Sequence, residues 1–259
     1  MPVDSCAFKS HRVVRFILAI LIAVIPRIAF AQAAPSAAPP PPPPPEREGS
    51  AEFAYVGTSG NSSTQTIGLG GELIFRPAPW ETRLKVAYVR NKSEDELKAE
   101  SFLLVFRAQR QLKPRLSAYG QYGYQRDRFA GILDRNAVEG GLAYTAVDSA
   151  PHKLIVDGGL GYANEHRVVG DNLSTATAGA GGIYTLTFSE TSQLSEDGHF
   201  VFSLSNGDDW RYANILSLTA KVTTVFSLKA SNTIRYVNMP VVGFKTTDVM
   251  TAIALVAKF

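Results

Sequence analysis

Cysteine is almost absent from this sequence: among 259 residues there is only Cys6. One cysteine excludes a disulfide framework and a cysteine-built zinc or iron–sulfur site. A strong excess of charge is lacking too, since 26 basic residues nearly balance 23 acidic ones. The apolar run in residues 16–25 is too short for a transmembrane helix, which needs roughly 20 residues. The chain does contain 45% hydrophobic residues, and this fraction excludes wholesale disorder.

The first 31 residues have the organisation of a secretory signal peptide. A basic segment precedes the apolar run, and Ala29-Phe30-Ala31 supplies a small-x-small cleavage pattern. We predict cleavage after Ala31, with Ala33 and Ala34 as neighbouring alternatives. Cleavage discards Cys6, and an exported chain without cysteine suits the bacterial envelope, where thiols are oxidised.

The positive charge of the chain lies in this predicted signal peptide. Its removal takes four of the 26 basic residues and one of the 23 acidic residues, which leaves 22 of each sign. The mature chain is therefore neutral. Nucleic acid is not predicted as a partner, because its recognition requires a basic surface.

Residues 32–50 are predicted to form a proline-rich, disordered periplasmic linker. They contain seven consecutive prolines, residues 39–45. Proline has no amide hydrogen to donate, and its fixed φ favours a stiff polyproline II spacer. The alternative is a ligand for a proline-recognising partner. The spacer is favoured because such modules are not expected in the periplasm.

Residues 51–259 alternate apolar and polar side chains with period two. In residues 80–88 the even positions are mostly apolar and the odd positions mostly charged, which is typical of a strand between two unlike environments. Turn signals divide the segment into twelve predicted strands. Their predicted bounds are 51–58, 63–76, 80–90, 99–110, 115–126, 135–146, 153–165, 173–187, 193–204, 210–222, 226–237 and 246–258.

The connections between the predicted strands alternate in length. Short ones such as 111–114 alternate with longer polar ones such as 91–98, as in bacterial outer-membrane barrels. A soluble β-sandwich or lipocalin-like barrel has the same residue alternation. Soluble strands average about 5–6 residues, whereas a tilted transmembrane strand needs about 9–11. The predicted lengths therefore indicate an all-β fold, an antiparallel transmembrane β-barrel in the Gram-negative outer membrane.

Aromatic side chains cluster at both ends of the apolar faces, as expected of two interfacial girdles. One predicted girdle lies at the short-turn end and comprises Trp80, Phe106, Tyr144, Phe226 and Phe259, and the other comprises Tyr88, Tyr124, Tyr162, Tyr212 and Tyr236. The final strand ends on Phe259, which resembles the assembly signal of outer-membrane barrels. Outer-membrane lipid and the outer-membrane assembly machinery are the predicted partners.

Several segments in order resemble one family, the YdiY-type salt-induced outer-membrane proteins. They are residues 57–61, 122–131, 206–211, 217–222, 226–229 and 238–248. The resemblance covers about residues 51–259. It implies an outer-membrane barrel connected with salt or osmotic stress. The family is a domain of unknown function, so the resemblance implies no catalytic or binding residues.

Catalytic and metal-binding candidates are few. His199 lies mid-strand with Asp197 on the same face, and Ser195 or Ser203 is a conceivable hydrolase nucleophile. A lumenal histidine among polar side chains is the favoured alternative. The acidic run 94–96 has oxygen ligands for calcium, but a solvated loop is favoured. We predict no enzyme activity, no catalytic residue, no cofactor and no metal.

Basic side chains are predicted to concentrate on the inward face near the short-turn end. They are Arg83, Lys85, Arg107, Arg115, Lys153, Lys221, Lys229 and Lys258, opposed by Glu52, Glu72 and Glu81. A basic, wet lumen favours anions. Two functions remain open: a small passive pore with mild anion preference for small solutes, or a non-conducting structural barrel with a side-chain-filled lumen. An outer-membrane hydrolase is a more remote alternative.

Overall fold

The computed structural model describes residues 45–58, 64–94, 96–128 and 130–259. The predicted signal peptide and most of the predicted linker lie outside the described residues. Within the described part of the chain, no helix is long and apolar enough to cross a membrane. The strands are β1 (Arg47–Thr58), β2 (Thr64–Phe75), β3 (Trp80–Ser93), β4 (Glu96–Lys113), β5 (Leu116–Asp127), β6 (Ile132–Ser149), β7 (His152–Arg167), β8 (Leu173–Thr187), β9 (Ser192–Ser203), β10 (Trp210–Lys221), β11 (Phe226–Val237) and β12 (Thr247–Lys258).

The twelve strands form one closed barrel. Each strand pairs antiparallel with its sequence neighbours, and β1 pairs with β12. The predicted strand number and closed antiparallel barrel are confirmed. Closure leaves no unpaired sheet edge, and this is the condition under which strands can cross a bilayer.

Several strand boundaries differ from the prediction, and two of these differences have the same reason. β1 begins at Arg47, inside the predicted linker, because residues 47–50 pair with residues 72–75 of β2. The predicted long loop at residues 91–98 is wrong, since β3 continues to Ser93 and β4 begins at Glu96. Polar composition suggested linker and loop at these places. Ladder hydrogen bonds use backbone atoms, however, and strands that extend beyond an apolar belt need no apolar side chains.

The outward face of the barrel is apolar and exposed. In β7 the outward Leu160 exposes 66% of its surface, whereas the inward Ala163 exposes 1%. The same contrast separates Leu73 from Ile74 in β2. A contiguous apolar exterior of this size is the inverse of a soluble protein and matches a lipid-facing wall.

Glycines face each other in the wall between β6 and β7, and the two backbones approach closely there. Gly141 pairs with Gly159, and a Cβ added at Gly141 would clash with the carbonyl oxygen of Gly158. A Cβ at Gly159 would lie 2.7 Å from the carbonyl oxygen of Gly140. Only residues without a Cβ permit this backbone approach.

The seam between the first and last strands has the fewest paired residues of all the strand pairs in the barrel. Four residue pairs join β1 to β12, from Ser50 with Lys258 to Phe53 with Leu255, whereas twelve pairs join β1 to β2. Backbone hydrogen bonds between Gly49 and Phe259 extend the seam, at 2.7 Å and 3.0 Å.

Candidate functional site: the barrel lumen

Ion pairs between strands that are not neighbours locate the lumen. Side chains on such strands can meet only inside the barrel, because the wall separates them on the outside. Arg211 of β10 contacts Glu165 of β7 at 2.7 Å, and Arg107 of β4 contacts Asp157 of β7 at 2.8 Å. The lumen is therefore bridged by charged side chains.

The upper cluster, near the long-loop end, centres on Glu165. Its carboxylate accepts hydrogen bonds from Arg135 at 2.9 Å, Arg167 at 2.8 Å and Arg211 at 2.7 Å. Glu165 exposes only 1% of its surface. A buried carboxylate requires such charge-assisted partners, since burial of an isolated charge is costly. Asp209 lies beside the cluster, 3.9 Å from Arg211.

The middle cluster joins five strands. The Arg107 guanidinium lies 3.8 Å from the centre of the Tyr119 ring, and the Tyr119 hydroxyl donates to Glu139 at 2.6 Å. His199 of β9 lies 3.7 Å from Glu139 of β6. Together with the contact between Arg107 and Asp157, these side chains occupy the lumen at mid-height.

A third contact joins strands on opposite sides of the barrel. Arg235 of β11 lies 3.5 Å from Asp127, the last residue of β5. Twelve strands tilted by about 40° with about 4.8 Å spacing would form a circle about 24 Å across. One arginine and one aspartate side chain cannot bridge that distance. The long-loop rim of the lumen is therefore narrower along this direction than a circular barrel would be.

The loop between β11 and β12, residues 238–246, extends over the same rim. Val241 exposes 4% of its surface, and Val241 and Phe244 pack against Gly131 in the turn between β5 and β6. That turn lies opposite the loop in the closed strand order. The loop therefore lies across the mouth of the lumen.

The predicted basic positions divide into two groups. Arg83 pairs with Glu72 and Glu81, Arg107 with Asp157, and Lys229 with Glu52. Within the described residues, the other five make no ion pair shorter than 4 Å; they are Lys85, Arg115, Lys153, Lys221 and Lys258. Arg115 lies in the turn before β5, where it is exposed. The anion-attracting lumen remains a prediction, with fewer unpaired charges than the sequence count implied.

The predicted aromatic girdles lie on strands with outward apolar faces. The five at the short-turn end, Trp80, Phe106, Tyr144, Phe226 and Phe259, expose between 43% and 76% of their surfaces. At the other end, Trp210 stacks on Phe200 at 5.1 Å and on Tyr236 at 4.8 Å. Trp210 and Phe200 extend the predicted girdle around β9 to β11.

The structure gives two of the hydrolase candidates, His199 and Ser203, other partners. His199 contacts Glu139, a partner that the sequence did not suggest, and Ser203 instead bonds Thr175 at 2.7 Å. Within the described residues, no serine is hydrogen-bonded to His199. In the acidic run 94–96, Glu96 contacts Lys98, and Asp95 lies outside the described residues. Among the residues that the structure describes, no group of acidic, histidine or cysteine side chains is arranged to hold a metal ion.

Sequence reasoning missed the upper cluster. Glu165 and Arg211 are 46 positions apart and lie on strands separated by two others, so no local pattern joins them. One signal was available: both lie on inward faces close to the long-loop end of their strands. Opposite charges at matching heights indicate possible pairs, but they do not determine which strands approach each other.

A family assignment agrees with the fold. Residues 51–259 match the family model described as "Protein of unknown function, DUF481". The chain belongs to the DUF481 family. The match covers the whole predicted barrel and agrees with the resemblance to the YdiY-type proteins. The description of DUF481 names no activity, and a comparison of this DUF481 chain with curated proteins finds no match.

Solved structures similar to this DUF481 chain include outer-membrane proteins. A NanC porin has 9% identity and a TM-score of 0.45, and the match spans 82% of this chain and 97% of the porin. The translocator domain of autotransporter NalP from Neisseria meningitidis has 13% identity, a TM-score of 0.43 and coverage of 82% and 86%. An anion-selective porin from Comamonas acidovorans has 10% identity, a TM-score of 0.39 and coverage of 82% and 98%. Likenesses of this degree specify no function.

Proposed function

We propose that this DUF481 protein is a structural β-barrel of the outer membrane whose lumen is closed at rest by ion pairs between its walls. The observation that carries the proposal is Glu165, which is buried and contacts arginines from β6, β7 and β10. In bulk water, ion pairs between one carboxylate and three guanidinium groups would be weak. Burial lowers the local dielectric, and the same ion pairs are then stronger. No enzyme activity is part of the proposal.

The apolar exterior supports the outer-membrane location. Leucine, isoleucine and phenylalanine side chains cover the outward wall, and the predicted signal peptide supplies the export route. A barrel in the outer membrane is expected in the membrane fraction and migrates faster in SDS gels when the sample is not boiled. Recovery in the soluble periplasmic fraction would contradict the location.

Conductance in planar bilayers tests the closed lumen. The refolded protein is expected to give rare and small current steps, because the upper and middle clusters bridge the bore. Folding is checked on the same sample by heat-modifiable migration. Frequent, large steps from folded protein would overturn the closed-lumen proposal.

A charge-neutral pair of substitutions provides the matched comparison. Arg107→Ala with Asp157→Ala removes one bridge of the middle cluster without changing the net charge, so step frequency should rise several-fold. Glu96→Ala with Lys98→Ala removes an exposed ion pair near the tip of the β3–β4 hairpin and should leave conductance unchanged. Equal conductance of both double variants would count against the bridging role of the middle cluster.

A pore with mild anion preference is the second candidate, and the basic side chains without an ion pair at the short-turn end favour it. A salt gradient across the same bilayer measures the reversal potential. An anion-favouring potential that shrinks after Lys85→Gln with Lys258→Gln would support the pore. If the reversal potential does not change after these substitutions, Lys85 and Lys258 are not the cause of the anion preference.

A role in salt or osmotic stress belongs to the proposal through the family resemblance. A strain without the gene should grow more slowly than its parent in medium of high osmolarity, and expression of the protein should restore growth. Equal growth of the two strains would contradict this role.

A further inference from the structure

Four polar side chains interrupt the apolar outer face of the barrel. Glu196 of β9 accepts a hydrogen bond from Asn214 of β10 at 3.0 Å, and Asn232 of β11 donates to Thr251 of β12 at 2.9 Å. We call these four residues the outer polar patch. They have the strand parity of the outward residues Leu216 and Leu218, which expose 42% and 48% of their surfaces.

The outer polar patch lies in the middle of the wall. Glu196, Asn214 and Thr251 are each the fifth residue of a twelve-residue strand, and Asn232 is the seventh. Apolar or aromatic outward residues lie above and below on the same strands. If the strands cross the bilayer as proposed above, the patch lies within its hydrocarbon layer.

Lipid chains cannot satisfy such a patch. A carboxylate accepts up to about four hydrogen bonds, and a carboxamide offers two donors and two acceptors. Asn214 also hydrogen-bonds Tyr212 on its own strand, but the Glu196 carboxylate accepts only the bond from Asn214 within the described residues, and its remaining capacity faces the outside of the barrel. Ionisable side chains that face lipid are costly, and those found in membranes usually face protein or water. The patch therefore requires a protein surface against it.

The outer polar patch is complementary to itself. It contains hydrogen-bond donors and acceptors side by side. A two-fold symmetric dimer joins the same surface of both subunits, so that surface must carry both. Beside it, the outward residues of β8 opposite Phe202, Phe200 and Gly198 are Ala178, Ala180 and Gly182. Tyr184 is opposite Glu196 in the same register, so the small side chains adjoin the patch on one side only, at Gly198 and Gly182.

We propose that a second copy of this chain covers the outer polar patch, so that two barrels associate through β9, β10, β11 and β12 in the membrane. The contact joins polar groups of one protomer to those of its partner and excludes lipid from them. This inference rests on the proposed membrane location but does not depend on whether the lumen conducts.

Cysteine cross-linking in the intact outer membrane tests the association. Cys6→Ser provides a background in which an introduced cysteine is unique in the chain. Leu216→Cys places a thiol next to Glu196, its partner in the strand register, and should give a disulfide-linked band at twice the mass of the chain. Leu69→Cys, which is outward on β2 and 49% exposed in the wild type, is the matched control and should stay monomeric.

A second set of variants links the cross-link to the outer polar patch. Glu196→Leu with Asn214→Leu should reduce the Leu216→Cys cross-link at least tenfold without loss of folded barrel, because apolar side chains suit the lipid face. An unchanged cross-link, an equal one from Leu69→Cys, or a product of another mass would overturn the proposal. So would the absence of a cross-link from barrel that is folded in the outer membrane. Failure to reach that membrane would instead contradict the location.

Discussion

The proposed closure of the lumen depends on single residues whose charges have little access to water. Glu165 is the clearest case, since one buried carboxylate contacts arginines from three strands. Pairs of this kind are not automatically stabilising compared with an apolar core. Removal of one partner is nevertheless costly, because the other charges stay buried without compensation.

Glu165→Ala is therefore expected to lower the free energy of unfolding by about 3–5 kcal/mol. Three guanidinium groups on side chains that are only 11–18% exposed lose their common acceptor. Urea titration of the barrel in lipid vesicles measures the change. Glu190→Ala, in the exposed turn before β9, should stay within about 0.5 kcal/mol of the wild type. An equal effect of both substitutions would show that the upper cluster adds no stability.

The glycines of the β6–β7 wall provide a second residue-level prediction. Gly141→Ala should destabilise the barrel by about 1–3 kcal/mol, because the new methyl group meets backbone that cannot move aside. Gly120→Ala on β5 is the matched control, since a Cβ there meets nothing within 4 Å. The folded fraction in SDS gels and the urea midpoint compare the two. A barrel that tolerates both equally would contradict the close backbone approach in this wall.

At the scale of elements, the long-loop end of the barrel is covered by the loop between β11 and β12, which we call the cover. Strands continue through the polar hairpin of β3 and β4 where a loop was expected. The loop between β11 and β12 instead leaves the wall and reaches the opposite turn, where its own Val241 is buried. The cover is held by a few apolar contacts, so it should open more easily than the wall.

Val241→Ser is expected to open this cover. Loss of a buried valine side chain costs about 1.5–3 kcal/mol, which corresponds to about a tenfold larger open population or more. Trypsin cleavage after the exposed Lys245 in folded, membrane-embedded protein measures the opening. Val242→Ser changes a neighbouring valine that is 77% exposed and should leave the cleavage rate near that of the wild type. Equal rates in all three proteins would mean that Val241 does not anchor the loop.

At the scale of the whole molecule, closure depends on a short seam. Four register pairs join β1 to β12, and Lys229 of β11 adds an ion pair to Glu52 of β1 at 2.8 Å. Phe259 reaches across the same seam, where its ring lies against Gly49. The last residue is thus in a position to affect both closure and assembly.

Phe259→Ala separates these two roles. If Phe259 is an assembly signal, the variant should accumulate several-fold less in the outer membrane of cells while refolding in vitro with nearly unchanged yield. The ring is 76% exposed, so its direct contribution to stability is expected to be below about 1 kcal/mol. Phe188→Ala, in the exposed turn after β8, is the control. Equal loss in cells and in vitro would indicate a structural role at the seam instead.

The sequence by itself determined the wall of this protein. Period-two alternation reports which residues share a face, and turn residues report where a strand ends, so twelve strands could be predicted from local patterns. Residues whose polar composition resembled loops were misassigned, such as Arg47–Ser50 and the β3–β4 hairpin, and β6 was predicted three residues too short at each end. The backbone pairs there regardless of side-chain polarity.

The tertiary structure alone decided the interior. Whether Arg107, Arg83 and Lys229 are free to attract anions depends on carboxylates brought near them by neighbouring or distant strands. The burial of Glu165 depends on how closely β7 approaches β10. Alternation gives the direction of a side chain from the wall but not its distance from the opposite wall, and that distance separates an open bore from a bridged one.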